Sequence, residues 1–73
     1  MSNVKTDVAV YQIKTDQTDW EQFEGTLLMA KRAAGKLPIG GYHDNYYIGV
    51  KDNLGVSVTW RRKNRFGEVW HVV

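Results

Sequence analysis

The stretch from Tyr46 to the last residue, YYIGVKDNLGVSVTWRRKNRFGEVWHVV, constrains the fold more than any other. It holds three β-runs, YYIGVK (46–51), VSVTWR (56–61) and EVWHVV (68–73). The links between them, KDNLG and RKNRFG, are short and rich in turn formers. Links this short join strands only in antiparallel fashion, because a parallel pair needs a crossover of about a dozen residues. An antiparallel meander follows. In its middle run, alternation sends Val56, Val58 and Trp60 one way and Ser57, Thr59 and Arg61 the other. In the last run, Val69, His71 and Val73 oppose Trp70 and Val72.

Upstream, VAVYQIK (8–14) is a further β-run. It carries Val8 and Val10 on one side and Ala9, Tyr11 and Ile13 on the other, as expected of a strand central in its sheet. A helix is then predicted over 19–34. Thr18 and Glu21 make a capping box, and Trp20, Phe23, Leu27, Ala30 and Ala34 share one stripe at a helical period. Gly35 suits the C′ position, Lys31, Arg32 and Lys36 favour the negative end of the helix, and Pro38 forbids continuation. Two features sit less well: Gly25 costs about 1 kcal/mol relative to alanine, and Leu28 and Met29 fall off the stripe. LPIGGYHDN (37–45) is a loop. The predicted fold is α+β, in the order β-α-β-β-β. It is one domain over 1–73, with a short flexible N-terminus at about 1–5. One helix covers one face of a four-stranded antiparallel sheet, so the other face is solvated or meets a partner.

A chain of 73 residues has room for one modest core. No cysteine is present, which removes disulfides, thiolate metal sites and a cysteine nucleophile, and suits a reducing cytoplasm. The apolar runs are far shorter than a membrane span, and MSNVKTDVAV lacks the organisation of a signal peptide. The chain is therefore expected in the cytoplasm; a monomer is expected, with pairing through the edge of the last strand the open alternative. Enzymatic chemistry is sparse. The serines are Ser2 and an outward-facing Ser57, His43 and His71 do not make a zinc set, and Gly40-Gly41 is not followed by the lysine and hydroxyl residue of a phosphate loop. No enzyme, metal or cofactor is expected.

Positive chemistry collects at one place. The net charge is +2, yet residues 61–65 alone carry +4, so the remainder is mildly acidic. Arg61, Arg62, Lys63 and Arg65 form a dense cationic hairpin end, flanked by Trp60 and Phe66. Guanidinium groups suit carboxylates or phosphates, so this end is predicted to contact an acidic protein surface or a nucleic-acid backbone. The alternative to both is a solvated turn that guards an edge. The nine aromatic residues exceed what the core absorbs, since Tyr46 and Tyr47 must face opposite ways. Trp70 is the one expected to be spare. Arg61, Arg62, Lys63, Arg65, Phe66 and Trp70 are thus the candidate partner-binding residues.

A cysteine-free chain of this length, opening MSNVKTDVAVYQIK and closing in a basic, tryptophan-rich meander, resembles the small early proteins of Xanthomonas bacteriophages that bind the host RNA polymerase. The resemblance implies a non-enzymatic regulator that inhibits transcription initiation and acts as an antiterminator. It implies partners in the large polymerase subunits, at the β′ N-terminal region and the β flap, and assigns no contact to any residue here. The alternative reading is a small DNA- or RNA-binding protein that uses the basic 61–65 hairpin.

Overall fold

A computed structural model describes residues 8–64 and 69–73. The expected flexible stretch at 1–5, together with Arg65 and Phe66, lies outside them. Five strands, β1 (Ala9–Thr15), β2 (Glu21–Gly25), β3 (Asn45–Asp52), β4 (Gly55–Lys63) and β5 (His71–Val72), form one antiparallel sheet in the order β2-β1-β3-β4-β5. One helix, α1 (Leu27–Gly35), packs on it, so the fold is α+β as the sequence predicts.

The sheet has five strands rather than four, because the predicted helix over 19–34 is half strand. Spacing apolar residues by three, as in Trp20 and Phe23, suits a helix turn, but in an extended chain it sends the two side chains to opposite faces. Phe23 pairs with Tyr11 and packs on the core beneath α1. Trp20 lies on the other face, against Gly49. Thr18, expected as the helix cap, instead accepts the Thr15 N–H at 2.8 Å and tightens the turn after β1. The actual N-cap is Thr26, extended at φ −82° and ψ 164°, with its hydroxyl accepting the Met29 N–H at 3.2 Å. At the other end Gly35 is the last helical residue, and Lys36 caps it, with the Lys36 N–H donating to the Ala33 carbonyl and the Leu37 N–H to the Ala34 carbonyl.

β1 is flanked by β2 and β3, as a central strand should be, but its two-sided apolar pattern does not mean burial on both faces: Val8 and Val10 are exposed. Tyr11, Ile13, Ala30, Ala34 and Ile48 make the buried cluster, with Phe23, Leu27, Leu37, Trp60 and Trp70 packed around it. Ala30 and Ala34, one turn apart and fully buried, are small enough to bring the helix backbone down onto the sheet. Leu28 and Met29 remain exposed, as their place off the stripe predicts.

β3 and β4 form a hairpin closed at Asp52–Gly55. Gly55 takes φ +123°, where side chains are disfavoured, and the Asp52 carboxylate accepts the Leu54 N–H at 2.7 Å. The ladder carries one irregularity. Ile48 pairs with Trp60 but Gly49 pairs with Val58, so Thr59 is an extra residue in β4. This bulge overturns the predicted common face of Val56, Val58 and Trp60. Trp60 packs under the helix, edge-on to Tyr11 with ring centroids 6.1 Å apart, while Val58 opposite Gly49 is on the other face.

Buried polar side chains fix the loop of residues 37–44. The Thr15 hydroxyl donates to the Pro38 carbonyl at 2.7 Å. Asn64, buried at φ 34°, donates its side-chain amide to the Tyr42 carbonyl at 2.9 Å, and its backbone N–H to the Asp44 carbonyl at 2.9 Å. The Asp44 carboxylate accepts from Gly40 N–H and from the Gln17 amide. No helix among the described residues is long and apolar enough to cross a membrane.

Candidate binding groove and basic strand end

Strand alternation divides the cationic cluster at the end of β4. Arg61 and Lys63 are exposed, with Arg61 opposite Tyr47 on the face away from the helix. Arg62 turns to the helix side, half-buried opposite Tyr46, its guanidinium carbon 6.0 Å from the centre of that ring. The predicted single knob is therefore two surfaces.

Trp70, expected to be the spare aromatic, is half-buried on the core, its ring centroid 6.4 Å from that of Tyr46. The reason is register. β5 pairs Val72 with Trp60 and His71 with Arg61, so Trp70, two residues before Val72, shares the helix-facing side. Arg62 and Trp70 there form one wall of a groove of about 480 Å³, and Leu28, Lys31, Arg32 and Lys36 of the helix side form the other. Four cations surround an apolar strip of Leu28 and Trp70, with no carboxylate lining the groove among the described residues. Gly35 also borders it, and a Cβ built there meets no described atom within 4 Å, so the groove is open at that point.

The place left for a spare aromatic on the outer face is taken by Trp20 and Tyr47. Lys14 sits between them, its ammonium 5.6 Å from the Trp20 ring and 5.7 Å from the Tyr47 ring. The Tyr47 hydroxyl donates to Asp16 at 2.7 Å, and the Asn45 N–H donates to the same carboxylate at 2.9 Å. Burial pushes the Asp16 carboxyl up, but the bonds from Tyr47 and Asn45, with Lys14 nearby, outweigh it and hold the group below its ordinary value. Burial, and then the bond to Asp16, push the Tyr47 hydroxyl above its own.

No group of three or more metal-binding side chains occurs among the described residues. His43 is exposed, edge-on to Tyr42 at 5.9 Å, and Asp44 is engaged with the loop.

The groove was not legible in the sequence. Lys31, Arg32 and Lys36 read there as compensation for the helix dipole, and only the fold brings them to Arg62 and Trp70. No protein family, curated protein or solved structure matches this chain.

Proposed function

We propose that this protein is a non-enzymatic regulator that binds bacterial RNA polymerase, inhibiting transcription initiation and acting as an antiterminator. The observation that carries the protein-binding part is the concentration of one sign of charge around the end of β4. Arg61 and Lys63 lie on one face there, and Arg62 lies beside Lys31, Arg32 and Lys36 on the other. Such a surface orients an encounter with an acidic partner and excludes basic ones. The choice of polymerase, at the β′ N-terminal region and the β flap, comes from the resemblance of the sequence. In this reading the chain works as a monomer in the cytoplasm of the host bacterium.

The test is capture from a bacterial lysate on tagged protein, followed by promoter-dependent transcription in vitro. Recovery of β and β′ with reduced initiation is expected. Capture without either subunit overturns the choice of partner.

A second reading, a DNA- or RNA-binding protein using the 61–65 segment, is favoured by the pairing of Arg61 with Tyr47, which sets a cationic and an aromatic residue across from each other on the sheet face away from the helix. Anisotropy titration of single- and double-stranded oligonucleotides at low salt decides it. Absence of binding there removes this reading.

A further inference from the structure

The groove between α1 and the β4–β5 side is small for a phosphate-backbone track. Its volume of about 480 Å³ holds a few side chains. The strip of Leu28 and Trp70 along it seats an apolar side chain, and Leu28 and Met29 are among the exposed apolar residues of the chain. Elsewhere on the surface Asp16, Asp19, Glu21, Glu24 and Asp52 are exposed, so the chain is not uniformly basic. Dipole compensation at the end of a helix is satisfied by Arg32 in the last turn and does not account for Lys31, Lys36 and Arg62 around the same space.

We infer that the groove seats an acidic peptide segment of a protein partner. One apolar side chain of that segment lies between Leu28 and Trp70, and its flanking carboxylates meet Lys31, Arg32 and Lys36, with Arg62 as the far wall. The inference deepens the protein-binding reading above, by naming the surface and the chemistry of the ligand, without depending on polymerase as the target. Charge orients the segment, and the desolvated apolar side chain supplies the contact that salt does not screen.

The probe is a short fluorescent peptide of Glu and Asp around a single Leu, titrated by anisotropy at low and at physiological salt. Its controls are the same peptide with Ser for Leu and a single-stranded oligonucleotide. The full chain is compared with three variants: Lys31→Glu with Lys36→Glu, Leu28→Ser, and Gly35→Glu. The last places an acidic side chain in the groove where a Cβ meets no described atom within 4 Å. Lys51→Ala and Leu54→Ala, at exposed positions of the β3–β4 turn outside the groove, are the reference variants.

Binding of the Leu peptide is expected to weaken about tenfold or more in each groove variant, and to stay within about twofold of wild type in the reference variants. The Ser peptide should bind more weakly and with steeper salt dependence. Circular dichroism verifies that each variant keeps its fold, and any variant that loses it is replaced by Lys36→Glu alone. Three results overturn the inference: no peptide binding at low salt, equal binding to wild type and groove variants, or an oligonucleotide that competes for the groove with higher affinity. Polymerase capture with the same variants separates the two claims. Peptide binding without polymerase capture refutes the target and leaves the groove. Polymerase captured equally by wild type and groove variants, with no peptide binding, refutes the groove and leaves the target.

Discussion

The Trp20 indole closes over Gly49 on the sheet face opposite the helix: a Cβ at Gly49 would lie 3.2 Å from Trp20 Cη2. It would also lie 2.7 Å from the Ser57 carbonyl oxygen and 2.7 Å from Val56 Cγ1. A backbone oxygen of the paired strand cannot yield as a side-chain tip can. Gly49→Ala is expected to destabilise the fold by about 1–3 kcal/mol, the usual range for overpacking. The midpoint of urea unfolding measures this, and a midpoint equal to wild type would show that the indole stands clear of β3.

Asp16 joins β1 to β3 through Tyr47 and Asn45, and its folded carboxyl titrates below its ordinary value. Its contribution to stability is therefore complete above the unfolded value and is lost as pH falls through the folded one. Tyr47 carries the opposite sign: its raised value keeps the hydroxyl protonated, and that contribution fades as pH rises through the folded value. Thermal unfolding across pH is expected to show a shallower acid limb in Asp16→Asn. In Tyr47→Phe both limbs should flatten.

Thr26 caps a helix of nine residues, with no acidic residue in its first turn to share the task. Thr26→Ala is expected to cost about 1 kcal/mol, and Thr26→Ser or Thr26→Asp a small part of that. Chemical denaturation compares the three. Equal stability of the alanine and serine variants would dismiss the hydroxyl as the cap.

Asn64 is buried, sits at φ 34° and ties β4 to the Tyr42 carbonyl. Asn64→Ala loses the side-chain bond and places an alanine in left-handed backbone, for an expected cost of about 1–3 kcal/mol. Asn64→Gly frees the backbone but loses the same bond, so it should fall between the two. Hydrogen exchange in residues 40–45 gives an independent readout, with faster exchange expected in both variants.

Much of the sheet could be read from the residues, because β1, β3 and β4 alternate and their turns carry Asp, Asn and Gly. The strand β2 could not, because Trp20, Phe23 and Leu27 satisfy a helical period as well as an extended chain that buries residues on both faces. Local signals argued for the strand nonetheless. Gly25 followed by Thr26 is a poor helix interior and a good break before a capped helix. At the candidate site, the cations of 61–63 were visible as a run, but their division between two faces depends on strand phase. The groove depends on a tertiary meeting of α1 with β4 that no local pattern announces.

The supernumerary Thr59 acts as a vernier for the lining of the groove. Were Thr59 drawn into the ladder opposite Ile48, every residue after it would rotate by half a period. Arg61 would then replace Arg62 at the groove wall, and Trp60 would turn out from under the helix. The composition would be unchanged and the docking surface new. What selects the present setting is the seat of the Trp60 indole against Tyr11, away from the groove itself. A conservative change at Tyr11 is therefore expected to alter the lining of the groove while touching none of it.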